Sequence, residues 1–151
     1  MLKMADVIPS ESQWGDPIKG LDLKTAFDRF YGKSRSQAVS LFSGRVIEFS
    51  SSLNYMPSYP FRYYLFSFVD FVLLGKELSR LDAPDAAACL FDVVMRRLDE
   101  CHVDVVSVFD ELLPSLQYVS DHQYEYGARP HIYGFFEDKL DQIKEVVKKK
   151  R

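Results

Sequence analysis

Three histidines, two cysteines and a carboxylate embedded among aromatic rings are the side chains of this chain that invite a chemical reading. The histidines, His102, His122 and His131, have no metal partner at a familiar spacing. HxxxH and HExxH are missing, and no two cysteines stand close enough for a zinc knuckle. His122 and His131 share a polar stretch with Asp121 and Glu125, the residue types of a weak metal site, although exposed loop histidines are the commoner arrangement. No serine lies in GxSxG or SxxK, and Cys89 carries no local signature of a reactive thiol. Glycines are scattered singly, so no phosphate-cradling loop is present. Most of the acids fall on polar helix faces, where solvation accounts for them. These residues assign no catalytic group, no metal and no cofactor. Because triads assemble in space, an enzyme built from scattered groups, for instance Asp121 with His122 or His131, stays as an alternative.

Asp70 is the carboxylate with the unusual setting. Tyr55, Tyr59, Phe61, Tyr63, Tyr64, Phe66, Phe68 and Phe71 surround it in a chain that is 15% aromatic. Helical steps of about 100° put Phe61, Tyr64, Leu65, Phe68, Phe71 and Val72 on one face. Gly75 falls on that same face, where a missing side chain would admit a neighbouring helix. Tyr63, Phe66, Asp70, Leu73 and Glu77 fall opposite. Three readings of this second strip stand: the solvent side of an amphipathic helix, an acidic-aromatic docking strip, or a carboxylate buried against Arg62, Arg80 or a neighbouring arginine. In the docking reading, tyrosine supplies contact area, while Asp70 and Glu77 supply steering and register. A second cluster of the same composition joins Tyr118, Asp121, Tyr124, Glu125 and Tyr126, with His122 and Tyr133 nearby. These are residue types that interfaces use, and equally types that sit at an ordinary wet surface.

The elements that must position these groups read as helices. Asp22 is placed to cap a helix carrying Leu23, Ala26, Phe27 and Phe30, stopped by Gly32. Val39, Phe42, Val46 and Phe49 recur at helical steps in a second helix from Ser34 or Ser36, before a connecting loop over 50–60. Pro60 opens the aromatic helix, which the pattern carries to about Leu81. Asp82-Ala83-Pro84-Asp85 marks the next start, with Asp82 as cap, and Ala87, Phe91, Val94, Leu98 and Cys101 form a narrow stripe. The stretch 103–109 fits strand or helix, and the longer window to Leu116 favours helix with a kink at Pro114. Residues 121–131 read as a surface loop. A final helix carries Phe136, Leu140, Ile143 and Val147, with acids early and lysines late in accord with the helix dipole. Cys89 and Cys101, twelve residues and about 18 Å apart along one helix, cannot bridge.

The expected fold is all-α: a compact single-domain bundle of five or six helices around the segment 60–81. Residues 1–13 form a flexible arm, with Trp14, Pro17 and Ile18 pinning its end to a domain over 14–151. A chain of 151 residues buries about 70% of its unfolded surface, enough for a core without metal or disulfide. No secretory pattern opens the chain, and Phe61–Leu74 is too short to span a bilayer, so a soluble cytoplasmic protein is expected. Net charge is −3, but Lys144–Arg151 carries +4, leaving −7 on the remaining residues. The four bases at 148–151 suit a solvated helix end more readily than nucleic-acid contact. An acidic body argues against nucleic acid and anionic membrane and for a basic protein partner. The functional expectation is a small binding protein, of the inhibitor or immunity type, that occludes a basic toxin or nuclease. A self-associating helical scaffold or regulator is the further alternative.

Overall fold

α1 (Leu21–Phe30) begins one residue before Asp22, with Gly20 at the cap position, and ends where Gly32 takes a left-handed φ of 80°. The computed structural model describes residues 7–16 and 19–151, so Pro17, Ile18 and the first six residues of the expected arm lie outside the described residues. The rest of that arm is tied down. Tyr59 Oη donates to the Val7 carbonyl at 2.6 Å, Pro9 is buried, and Ser10 and Gln13 close a capping box on a short 3-10 turn. Trp14 is fully buried, edge-on to Phe27 and against Tyr64.

The expected helix from Ser34 is two helices. α2 (Arg35–Val39) is opened by a Ser34–Gln37 capping box, and α3 (Val46–Leu53) follows a 3-10 turn and Gly44 at φ 74°. The apolar stripe survives the break, with Phe42, Val46 and Phe49 buried and Val39 partly so. α3 runs into the stretch expected as a loop, leaving only 54–57 as the connection.

α4 (Ser58–Val72) begins at Ser58, two residues ahead of Pro60, and stops well short of Leu81. Three local features end it. The Leu74 amide turns to the Phe71 carbonyl, Gly75 adopts φ 55°, and Tyr126 Oη donates to the Val72 carbonyl at 2.7 Å. The hydroxyl occupies a carbonyl that a continuing helix would have used, so a tertiary contact replaces the next turn. Gly75 therefore serves a turn and not a helix crossing.

α5 (Asp82–Val106) is the longest element, with Asp82 as its first residue and not its cap. The Ser79 hydroxyl accepts the Asp82 amide at 2.9 Å, while the Asp82 carboxylate accepts the Gly44 amide at 3.2 Å. Ala87, Phe91, Val94 and Leu98 are buried as their spacing predicts. Cys101 is exposed, because the backbone leaves helical geometry there (φ −156°, ψ 79°) and the stripe breaks. Residues 103–106 are helical, and α6 (Phe109–Asp121) runs through Pro114. α7 (Pro130–Tyr133) is a single turn, and α8 (Phe136–Lys150) buries Phe136, Leu140, Ile143 and Val147. The expected surface loop before α7 is exposed at Tyr124, Glu125, Gly127 and Arg129, while Gln123, Tyr126 and Ala128 are buried and anchor it.

The result is an all-α bundle with no strand among the described residues, the short helices α2 and α7 bringing the number to eight. α2 lies on α4, and α5 packs against α3, α4, α6 and α8. A buried ionic group fixes α4 to α5: Asp104 Oδ1 accepts from Arg62 at 3.1 Å, and Asp104 Oδ2 lies 3.1 Å from Arg97 Nε. The second contact is off the hydrogen-bonding direction; Arg97 also donates to the Met56 carbonyl and lies over the Phe61 ring. Burial pushes the Arg97 guanidinium below its ordinary value, with Asp104 opposing that shift. No helix among the described residues is long and apolar enough to cross a membrane.

Candidate protein-binding surface

The first predicted strip is covered by the protein itself. Tyr63 and Phe66 are 3% and 2% exposed, because α2 packs on that side of α4. The Arg35 amide donates to Tyr63 Oη at 2.8 Å, and the Ser67 hydroxyl donates to the Arg35 carbonyl at 2.9 Å. Asp70 receives Arg35 in a two-point pair, Nε at 2.7 Å and Nη2 at 2.9 Å, while the guanidinium lies over Phe66. Its partner is thus the α2 arginine, and neither Arg62 nor Arg80. Tyr63, Phe66 and Asp70 hold α2 to α4 and offer no docking face. Glu77 leaves the strip altogether: α4 has ended, and Glu77 is exposed in the 3-10 turn Gly75–Glu77.

That displacement carries Glu77 to the second cluster. A cavity of about 390 Å³ is lined by Leu73, Leu74, Gly75, Glu77, Tyr118, His122, Glu125 and Tyr126. Early termination of α4 makes it: Leu73 and Leu74, which a longer helix would direct elsewhere, form one wall and remain exposed. The end of α6 forms the other wall, where the Tyr118 and His122 rings stack at 4.0 Å and His122 Nδ1 lies 2.7 Å from the Tyr118 carbonyl. Tyr126 reaches the cavity only as a buried wall, its hydroxyl spent on Val72. Burial pushes its phenol up to about 12. Asp121, paired with Gln117 at 2.9 Å, and Tyr124, 79% exposed, stand outside the lining. Tyr133 is also elsewhere, its hydroxyl donating to Asp85 at 2.9 Å.

Two further cavities continue from this one along the connector 73–82. Leu74 and Glu77 also line a space of about 530 Å³ with Val39, Leu78, Ser79 and Asp82. Ser79 and Asp82 in turn line a third, of about 410 Å³, with Arg45, Ile47, Leu81 and Asp85. Shared lining residues set the three side by side along this connector, and together they are termed the furrow. Leu81 and Ile47, 83% and 63% exposed, flank its far end.

Among the described residues, the lining of the furrow carries more acids than bases. Glu125, Glu77, Asp82, Asp85 and Glu48 line it, against Arg45 among the described residues. Glu48 is paired with Arg29, whereas Glu77 and Glu125 have no ion-pair partner among the described residues. α4 and α6 both end at the first cavity, adding two partial negative charges. Ammonium or guanidinium groups would find carboxylates, aromatic rings and leucine side chains within one concavity. Among the described residues, no group of three His, Cys, Asp or Glu side chains is arranged to hold a metal ion.

Glu77, Tyr118, Glu125 and Tyr126 were legible as candidates, but their meeting was not. Leu74, Leu81 and Ile47 were missed, because apolar residues near helix ends read as core. Gly75 beside Leu74 and the Asp82–Asp85 start signal beside Leu81 were the available clue; Ile47 had none. Among known proteins, the chain matches no family model, no curated protein and no solved structure.

Proposed function

We propose that this protein is a binding protein of the inhibitor or immunity type, and that a basic protein partner is occluded along the furrow beside residues 73–82. One observation carries the reading: Glu77, an exposed carboxylate with no ion-pair partner among the described residues, lines two cavities that also present exposed leucines. Apolar surface at the centre supplies affinity when it is buried, and the surrounding acids select positive charge and speed encounter. A basic toxin or nuclease presents the matching surface.

The test uses the partner recovered by affinity capture from the native host, with binding measured by calorimetry. Glu77→Gln combined with Glu125→Gln is expected to weaken binding by about tenfold or more and to reduce its salt dependence. Glu11→Gln, exposed on the 3-10 turn that ends at Trp14, is the control and leaves affinity unchanged. Equal affinity of the double variant and the parent overturns the furrow as the docking site.

A further inference from the structure

The side of the molecule formed by α5 and α8 carries an opening unrelated to the furrow. Met95, Leu98, Ile143 and Val146 floor a groove of about 540 Å³, rimmed by Arg96, Asp99, Gln142 and Glu145. Ile143 and Leu98 belong to the core, whereas Val146 is 36% exposed and Met95 is partly so. Methionine at such a position adapts its shape to whatever covers it.

We propose that this groove receives α8 of a second copy of the chain, antiparallel about a two-fold axis. The argument is charge complementarity in a fixed register. Phe136, Leu140, Ile143 and Val147 turn α8 toward its own core. Helical steps of about 100° then place Asp138, Gln142, Glu145, Val146 and Lys149 together on the outward face of α8, and Gln142, Glu145 and Val146 of these line the groove. An antiparallel pairing that sets Asp138 opposite the copy's Lys149 also sets Gln142 opposite the copy's Glu145, because both pairs share one midpoint between Ile143 and Lys144. The symmetry repeats each contact. Neither Asp138 nor Lys149 has an ion-pair partner within the chain among the described residues. Antiparallel alignment further sets the acidic start of each α8, with Glu137 and Asp138, beside the lysine-rich end of the other, Lys148–Lys150. An unrelated helix would need to supply this sequence of charges by design; a second copy supplies it by identity.

The contact is modest, since α8 has 15 residues and so spans about 22 Å. Association is therefore concentration-dependent, with a monomer that folds alone. This proposal stands independently of the furrow.

Sedimentation equilibrium of the full chain over a wide concentration range tests it, with helical circular dichroism confirming that each variant folds. Self-association to a dimer is expected. Asp138→Lys and Lys149→Asp should each weaken it about tenfold, and the two together should restore it. Val146→Glu should abolish it. A chain that stays monomeric throughout overturns the proposal, as does a dimer indifferent to Val146→Glu or a double charge swap that fails to restore association.

Discussion

Asp104 and Asp70 are both arginine-paired carboxylates, and burial separates their worth. Asp104 is 2% exposed between two guanidiniums, whereas the Asp70 and Arg35 side chains are each 35% exposed. Replacing a buried charge leaves its partners uncompensated in a poor solvent, while a half-exposed pair is partly replaced by water and ions. Asp104→Asn is therefore expected to cost about 3–5 kcal/mol of folding stability. Asp70→Asn should cost about 1 kcal/mol, despite its better hydrogen-bond geometry. Urea unfolding at low and high salt checks both: the Asp70 loss should shrink with added salt and the Asp104 loss should not. Equal losses would show that burial does not rank these pairs. Neither pairing could be read from spacing, because Arg35 and Asp70 are 35 residues apart, and Arg62 and Asp104 are 42 apart.

Among the helices, those whose stripe lies within one unbroken run were legible. α8 is buried along Phe136, Leu140, Ile143 and Val147, and α5 along Ala87, Phe91, Val94 and Leu98, as periodicity alone requires. α4 was legible as the aromatic helix but not in its length. Nothing within 72–81 excludes helix, and the group that stops it, Tyr126, comes from 54 residues further on. The same contact both ends α4 and opens the first cavity, so the candidate site was hidden for the reason the helix end was. Tyr126→Phe should cost about 1 kcal/mol near neutral pH, the worth of one buried hydrogen bond. It should also change the alkaline limb. The Tyr126 phenol titrates at about 12 in the fold against an ordinary value of 10, so the unfolded chain loses that proton first. Its contribution is fully present below pH 10 and is lost as pH rises toward 12. Urea midpoints measured from neutral pH upward should fall more shallowly in Tyr126→Phe than in the parent. A residual fall should remain from Tyr64, whose phenol burial also pushes up. An unchanged alkaline slope would remove Tyr126 from this account.

At the scale of the whole molecule, the two proposed surfaces depend on one element. α5 begins at the furrow with Asp82 and Asp85 and forms one lip of the α8 groove with Arg96 and Asp99. It also contacts α3, α4, α6 and α8. An element shared by both halves of a core makes their unfolding a single event, since neither half keeps its buried surface once it departs. Phe91 provides the test. It is fully buried and stacks on Phe136 of α8 at 4.9 Å, whereas Trp14, the sole tryptophan, packs on Phe27 and Tyr64. Phe91→Ala removes a ring from the α8 side and should cost about 3–5 kcal/mol. If α5 unites the molecule, Trp14 fluorescence and helical circular dichroism must shift by the same amount in urea and stay superimposed, although Trp14 does not stack on the altered residue. A dichroism transition that moves while the Trp14 transition stays in place would mean that the α1–α4 side folds without α8, and that the two surfaces belong to separately folding units.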